Sequence, residues 1–330
     1  MKVIVATSIY PPEIGRPATY VVELVKRLRD EHDVVIVAYT DSQEAPEGVK
    51  LIGISKTYPL WFRLIKYAIT LWHVTHAADL VLVQNAMSAG LPTAVICLIR
   101  NKPFMVKFLG DEAEQRMKQR HVTKKNITIR LMALIERWVL TRAYTILASS
   151  SLQRDKIIST YGIGPEKIVM HPYPAETPEI LPFPIVRKPH QITAIDLSYN
   201  AVPAIEIVKK SFADVTYEDR KNISRAETWY MLQSSTLCLI DSTDGKAYSM
   251  IERCYTAQTP FIDVHDLSAV ELADAIMSIL TDVKRSQDMV NAGQKILSES
   301  LSWESHLKEL EALFQKITLH PVHVSPHALL

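Results

Sequence analysis

Three observations predict an α/β protein of two doubly wound, Rossmann-like lobes: short apolar runs alternate with helical stretches through the first half, a second alternating half follows, and a proline-dense segment separates them. Strand-like runs fall at residues 3–6, 34–38, 51–54, 80–83, 104–108 and 145–148, nearly all apolar, as strands covered on both faces require. Helical periodicity fills the gaps. In the first gap Val21, Leu24, Val25 and Leu28 repeat on one face while Glu23, Lys26, Arg27 and Arg29 take the other, and Pro17 sits where a first-turn proline is tolerated. Pro178, Pro182, Pro184 and Pro189 forbid regular structure and mark a linker. Beyond it, strands at 192–195, 236–240 and 260–263 alternate with helices near 202–210, 226–233 and 250–257, and 267–280 and 305–317 read as amphipathic helices. This half is about one strand and one helix short of a full nucleotide-binding lobe. The predicted division is a first lobe at 1–174, a linker at 175–190, a reduced second lobe at 191–300, a closing helix at 301–319 and a loose tail at 320–330. Two such lobes on a hinge leave a cleft facing the carboxyl ends of both sheets, where ligands of this architecture bind.

Composition narrows the function classes. With 48% hydrophobic and 22% charged residues the chain is neither disordered nor collagen-like. Lys and Arg total 37 against 36 Asp and Glu, so no global field recommends nucleic acid as a partner. Cys97, Cys238 and Cys254 are odd in number and set in apolar surroundings, which fits a reducing, cytoplasmic setting better than a disulfide framework or a zinc site. The opening MKVIVATSIYPP reads as a strand rather than an export signal. Only 9 residues are glycine, and Gly245 is the sole one between Pro165 and Asn291, so the second half is poor in the usual phosphate cradles.

Two stretches depart from the average. Residues 100–142 carry eleven basic side chains against four acidic ones, a local charge of +7. Nearby, YPLWFRLIKYAITLW (58–72) is apolar with Arg63 and Lys66 interspersed. One reading is a first lobe that touches anionic lipid at the inner face of the membrane. The other is a buried helix beside a solvated basic face. Neither run is long enough to span a bilayer. His320, His323 and His327 are spaced like ligands but lack a carboxylate or Cys companion, and are read as tail residues.

The run PPEIGRPATYVVELVKRL (11–28) resembles the first loop and helix of family 4 glycosyltransferases, which have the GT-B fold, and further segments agree in order. MVKFLGDEAEQR (105–116) is similar to that family's strand and Gly-Asp turn facing the acceptor, and YGIGPEKIVMHPYP (161–174) to its exit from the first domain. ISRAETWYMLQSSTLCLIDS (223–242) resembles the helix and strand before the donor motif, DGKAYSMIERCYTAQTPFI (244–262) the acidic motif, and LSWESHLKEL (301–310) the closing helix. The implied architecture is GT-B with a shortened donor lobe.

The resemblance also implies roles. Gly15 lies just before a helix, where backbone N–H groups and the helix amino terminus favour a phosphate; Arg16 stands where the family usually has a second glycine and would face the donor diphosphate. Asp244 and Glu252, eight apart, match the paired-acid motif with aspartate for the first glutamate: Glu252 would grip the ribose hydroxyls and Asp244 would lie near the sugar, with Lys246 on the donor side. Read without the resemblance, Glu252 starts a helix and complements its dipole. Gly110, Asp111 and Glu112 would lie on the acceptor side, with Asp111 contacting acceptor or transferred sugar; as bare residues, Asp111 and Glu112 are acids at a helix start.

One departure is serious. Family members usually carry an Arg and then a Lys after the first strand of the second lobe, where they neutralise the leaving diphosphate. Here AIDLSYNAVPAIEIVKK (194–210) has no basic residue before Lys209, and the glycine-containing strand and turn that normally follow are missing. Arg16, Lys246, Arg220 and Arg225 are the candidates for compensation.

The resemblance implies a retaining transferase that moves a sugar from a nucleotide-sugar donor to a glycan or polyprenyl-linked acceptor, with the donor as a substrate and neither cofactor nor metal. Retention by front-face attack lets the leaving phosphate take the acceptor's proton, so no strong protein base is required. The alternatives are a catalytically degenerate GT-B protein serving as a partner subunit in glycan assembly, and a nucleotide-sugar epimerase of the same fold.

Overall fold

The apolar runs of the first half pair into a single sheet. The computed structural model describes residues 1–13, 15–110, 127–176, 178, 184–243 and 247–319. It divides into one unit of Met1–Tyr173 with Leu307–Leu330 and a second of Pro174–His306. The first unit runs β1 (Lys2–Thr7), α1 (Arg16–Leu28), β2 (Asp33–Ala38), β3 (Lys50–Gly53), α2 (Leu60–Val74), β4 (Leu80–Gln84), α3 (Gly90–Arg100), β5 (Phe104–Lys107), α4 (Ile127–Arg142), β6 (Thr145–Ala148), α5 (Ser151–Tyr161) and β7 (Ile168–Met170). All seven strands are parallel, in the order β3-β2-β1-β4-β5-β6-β7. The sheet reverses direction of growth between β1 and β4, the topological switch point at which such sheets bind ligands. Helices on both faces explain the unbroken apolar strands: Val3, Ile4, Val5 and Ala6 are all fully buried.

The segment at 58–72 is a helix, and the buried-helix reading of it fails. Tyr67 and Leu71 are the buried side chains of α2, while Tyr58, Leu60, Trp61, Phe62, Ile65, Ile69 and Trp72 are exposed. The run is apolar on two faces, and the sheet covers only one.

The second unit has β8 (Gln191–Ile195), α6 (Val202–Lys209), β9 (Thr216–Arg220), α7 (Arg225–Ser234), β10 (Leu237–Ile240), α8 (Ala247–Ala257), β11 (Phe261–Asp263), α9 (Ala269–Thr281), α10 (Val283–Ser300) and the start of α11 (Trp303–Leu319). Its four strands are parallel in the order β11-β10-β8-β9, with the switch point between β8 and β10. β9 corrects the sequence reading, which had a strand missing here. Its residues TYEDR carry no apolar run because it pairs with β8 alone and lies at the sheet edge. The 283–300 helix is also unforeseen: it is polar overall with a narrow apolar side, and Gly293 is its buried residue. Ser224 with Glu227 and Ser268 with Glu271 form capping boxes that start α7 and α9.

From Leu307 onward α11 belongs to the first unit, where Leu310, Phe314 and Ile317 are buried. His32 Nε2 lies 2.6 Å from Glu311 Oε1, and the His32 ring meets Phe314 edge-on. The three cysteines are free and buried, Cys97 in the first unit and Cys238 and Cys254 in the second.

Candidate functional site

At the switch point of the first unit, β1 ends at Thr7 and β4 at Gln84, and the Thr7 hydroxyl lies 3.4 Å from Gln84 Oε1. Gln84 Nε2 is buried with no hydrogen-bond partner, which leaves a donor at this edge. The chain then reaches α1 through Gly15, whose carbonyl accepts from the N–H groups of Ala18 and Thr19. A Cβ at Gly15 would meet only Pro17 Cδ at 3.7 Å, so packing does not demand a glycine there. Pro17 has no N–H and those of Ala18 and Thr19 are taken up by the Gly15 carbonyl, so the N–H groups of Gly15 and Arg16 are the ones at the head of α1 that this carbonyl does not engage. Arg16, the first residue of the helix, sets its guanidinium 4.9 Å from the centre of the Tyr173 ring.

Beside Arg16 the structure brings in a residue that the sequence reading counted only as part of a basic run. Lys107 ends β5 with its side chain completely buried, donates from Nζ to the His171 carbonyl, and lies 4.5 Å from the Tyr173 ring centre and 5.8 Å from that of Tyr20. Burial, with the nearby Arg16 charge, pulls its pKa down to about 7, against a smaller upward pull from Glu309. Burial likewise raises the phenols of Tyr20 and Tyr173 well above their usual range. The signal was a lone lysine inside the apolar strand FMVKF. Gly110 follows with φ 130, a value that favours glycine; Asp111 and Glu112, the acids expected on the acceptor side, lie outside the described residues.

A cavity of about 500 Å³ opens where β2 and β3 end, lined by Thr40, Asp41, Ser42, Ser55, Tyr58 and Lys66 among others. Hydroxyls, one acid and one amine make it a polar recess, and Tyr58 and Lys66 join it to the start of α2.

In the second unit Glu252 is the sixth residue of α8, not a helix start, so the dipole reading fails. Its carboxylate is buried and accepts from the Glu176 backbone N–H at 2.7 Å. The Glu176 carboxylate in turn pairs with Arg253 at 3.3 Å and Arg225 at 3.6 Å. Arg253, missed in the sequence, therefore stands with Arg225 beside the expected ribose-binding acid, and its Nε is buried without a partner. Arg220 is held by Glu218 through its Nε at 2.6 Å. Asp244 and Lys246 lie outside the described residues.

The carboxyl edge of this sheet is acidic where a diphosphate would want cations. Asp196 follows β8 and accepts from Asn222 N–H; Asp241 follows β10 and accepts from Thr243; Asp263 ends β11 and accepts from the N–H groups of Ser242 and His265. These bonds hold the Asp263 carboxyl below its usual range against the effect of its burial.

Residues 17–174 match the glycosyl transferase 4-like domain family. Among curated proteins no sequence matches the chain. Among solved structures, Anabaena HepE in complex with UDP aligns over 96% of this chain and 100% of its own at a TM-score of 0.64 and 12% identity. The lipopolysaccharide outer core galactosyltransferase WaaB aligns over the same shares at 0.61 and 12%, and a putative UDP-N-acetylglucosamine 2-epimerase from Listeria monocytogenes over 97% of both chains at 0.56 and 11%. At such identities the likeness establishes the fold, which is GT-B, and leaves the chemistry to the residues.

Proposed function

We propose, for a GT-B protein whose residues 17–174 form a glycosyl transferase 4-like domain, that it is a retaining glycosyltransferase. It takes a nucleotide-sugar donor, hands the sugar to a glycan or polyprenyl-linked acceptor, and needs no metal. The observation that carries this reading is the domain match laid over a 3-2-1-4-5-6 sheet, whose switch point presents the head of α1 with Gly15 and Arg16. In this scheme the N–H groups of Gly15 and Arg16 and the Arg16 side chain face the diphosphate, and Glu252 accepts from the ribose hydroxyls. Gly110, Asp111 and Glu112 serve the acceptor side, and Asp111 and Asp244 orient acceptor and sugar, with Lys246 near the donor. The acceptor hydroxyl attacks the anomeric carbon on the face the diphosphate leaves; the C–O bond to phosphate breaks as the new one forms, and the phosphate oxygen takes the proton.

Arg225 and Arg253 support the reading, since they supply cations close to Glu252 where the family's Arg and Lys are absent. For Glu252 to hold ribose, the Glu176 N–H must yield its place.

The acidic edge made by Asp196, Asp241 and Asp263 favours a second reading, a partner subunit in glycan assembly that keeps the fold and lacks turnover. Incubation with UDP- and GDP-sugars and polyprenyl-linked acceptors separates the two. The transferase yields free nucleoside diphosphate and a product with the donor's anomeric configuration by NMR. Inverted product sinks retention, and no transfer with any donor favours the partner subunit.

A further inference from the structure

The first unit shows solvent an apolar helix face that its own core leaves uncovered. Trp61, Ile65, Ile69 and Trp72 recur at spacings of four, four and three, which is one side of α2, and Trp61 is 65% exposed. Tyr58, Leu60 and Phe62 extend that face at its amino end, where Phe62 meets the rings of Tyr58 and Trp61. α2 packs on α3, where Ile99 is 60% exposed, and α3 packs on α4, where Leu131 and Leu134 are exposed. Single exposed apolar residues are ordinary; this many on adjoining helices mark a contact surface.

Charge identifies the partner. The three helices carry six cations, Arg63, Lys66, Arg100, Arg130, Arg137 and Arg142, and one acid, Glu136. Glu136 is buried and accepts the Tyr161 hydroxyl at 2.8 Å, so no acid of these helices reaches solvent. Two of the cations are held beside the exposed aromatics: Lys66 Nζ lies 4.7 Å from the Tyr58 ring centre, and the Arg100 guanidinium 3.6 Å from that of Trp72. Aromatic and aliphatic side chains interleaved with cations suit the boundary between lipid headgroups and acyl chains. With 15 residues α2 is too short to cross, and no helix among the described residues is long and apolar enough to do so. A second copy fits poorly, because a two-fold contact would set like charges against each other. Nucleic acid would leave the tryptophans and isoleucines without apolar cover.

We propose that the outward face of α2, with the cations of α3 and α4, docks this protein on an anionic bilayer. The apolar side chains sit among the upper acyl chain segments and the cations on headgroup phosphates. The inference rests on this surface alone and holds whether or not the chain transfers sugar. The full chain is sedimented with vesicles of phosphatidylcholine alone and of phosphatidylcholine mixed with phosphatidylglycerol. It co-sediments with the mixed vesicles at low salt, and the bound fraction falls as salt shortens the Debye length from about 10 Å at 0.1 M to about 3 Å at 1 M. The double substitution Trp61→Ser with Ile65→Ser lowers the partition coefficient about tenfold or more. Lys66→Gln lowers it about fivefold, the worth of one cation at an anionic surface. The thermal unfolding midpoint of the double variant stays at the wild-type value, since both side chains lie outside the core. A protein that stays in the supernatant, or a double variant that partitions like wild type, overturns the proposal. So does a dimer in gel filtration that the double variant dissociates.

Discussion

Lys107 enters the core of the first unit as an amine bonded to a carbonyl, and its pKa of about 7 makes the folded state sensitive to pH. Between about 7 and its ordinary value of 10.5 the unfolded chain holds a proton that the folded chain releases. Stability contributed by this group therefore rises with pH through that window and is flat on either side. The span is on the order of 5 kcal/mol. Urea unfolding of wild type and Lys107→Met at pH 7 and pH 10 isolates it: wild type gains more between the two pH values than the variant does. Parallel gains would show that the amine stays charged when buried. Lys107 was legible as an oddity in an apolar strand, but its contacts with Tyr20, Tyr173 and His171 join positions scattered along the chain, which no local pattern shows. Glu252 makes the same point from the other side. The acidic motif singles it out, while its partner Glu176, 76 residues away, emerges only from the fold.

Elements were legible in proportion to how completely the core covers them. The inner strands of the first sheet, β1, β2, β4, β5 and β6, are buried and read directly as apolar runs, whereas β7 at the edge is not among those runs. β9 at a sheet edge and α10 on the surface carry polar sequences, and periodicity passed over both. α2 misled in the opposite sense, since apolar composition says that a face seeks cover and does not say that the protein's own core supplies it. At Gly293 two effects compete. Alanine gains about 1 kcal/mol of helix propensity over glycine in the interior of α10. A Cβ there would overlap the Tyr255 ring, which already packs against Phe261 at 5.7 Å, and overpacking costs about 1–3 kcal/mol. Gly293→Ala therefore lowers the urea midpoint. A raised midpoint would mean that the Tyr255 ring moves aside freely.

At the scale of the whole molecule, the alternation of runs was enough for two doubly wound units, and the ordered motifs were enough for GT-B. Strand order is not carried by local patterns and emerges only from the pairing of the strands in the two sheets. Chemistry was less legible, because the proposed transfer calls for cations where residues 194–208 have none. Losing a group that stabilises developing charge costs about 10² to 10³ in rate, so two uncompensated losses would cost about 10⁴ to 10⁶ if they added. Arg225 and Arg253 sit near Glu252 but engage Glu176, and the sheet edge nearby is lined by aspartates. The central claim is that a nucleotide sugar still binds. Isothermal titration with UDP, GDP and their sugars tests it, with wild type beside Glu252→Gln, a variant that keeps an acceptor for the Glu176 N–H. The account predicts saturable binding of one nucleotide class, weakened about tenfold or more in the variant as charge-assisted bonds to the ribose are lost. Absence of heat with every nucleotide, or equal affinity in the two proteins, would contradict it.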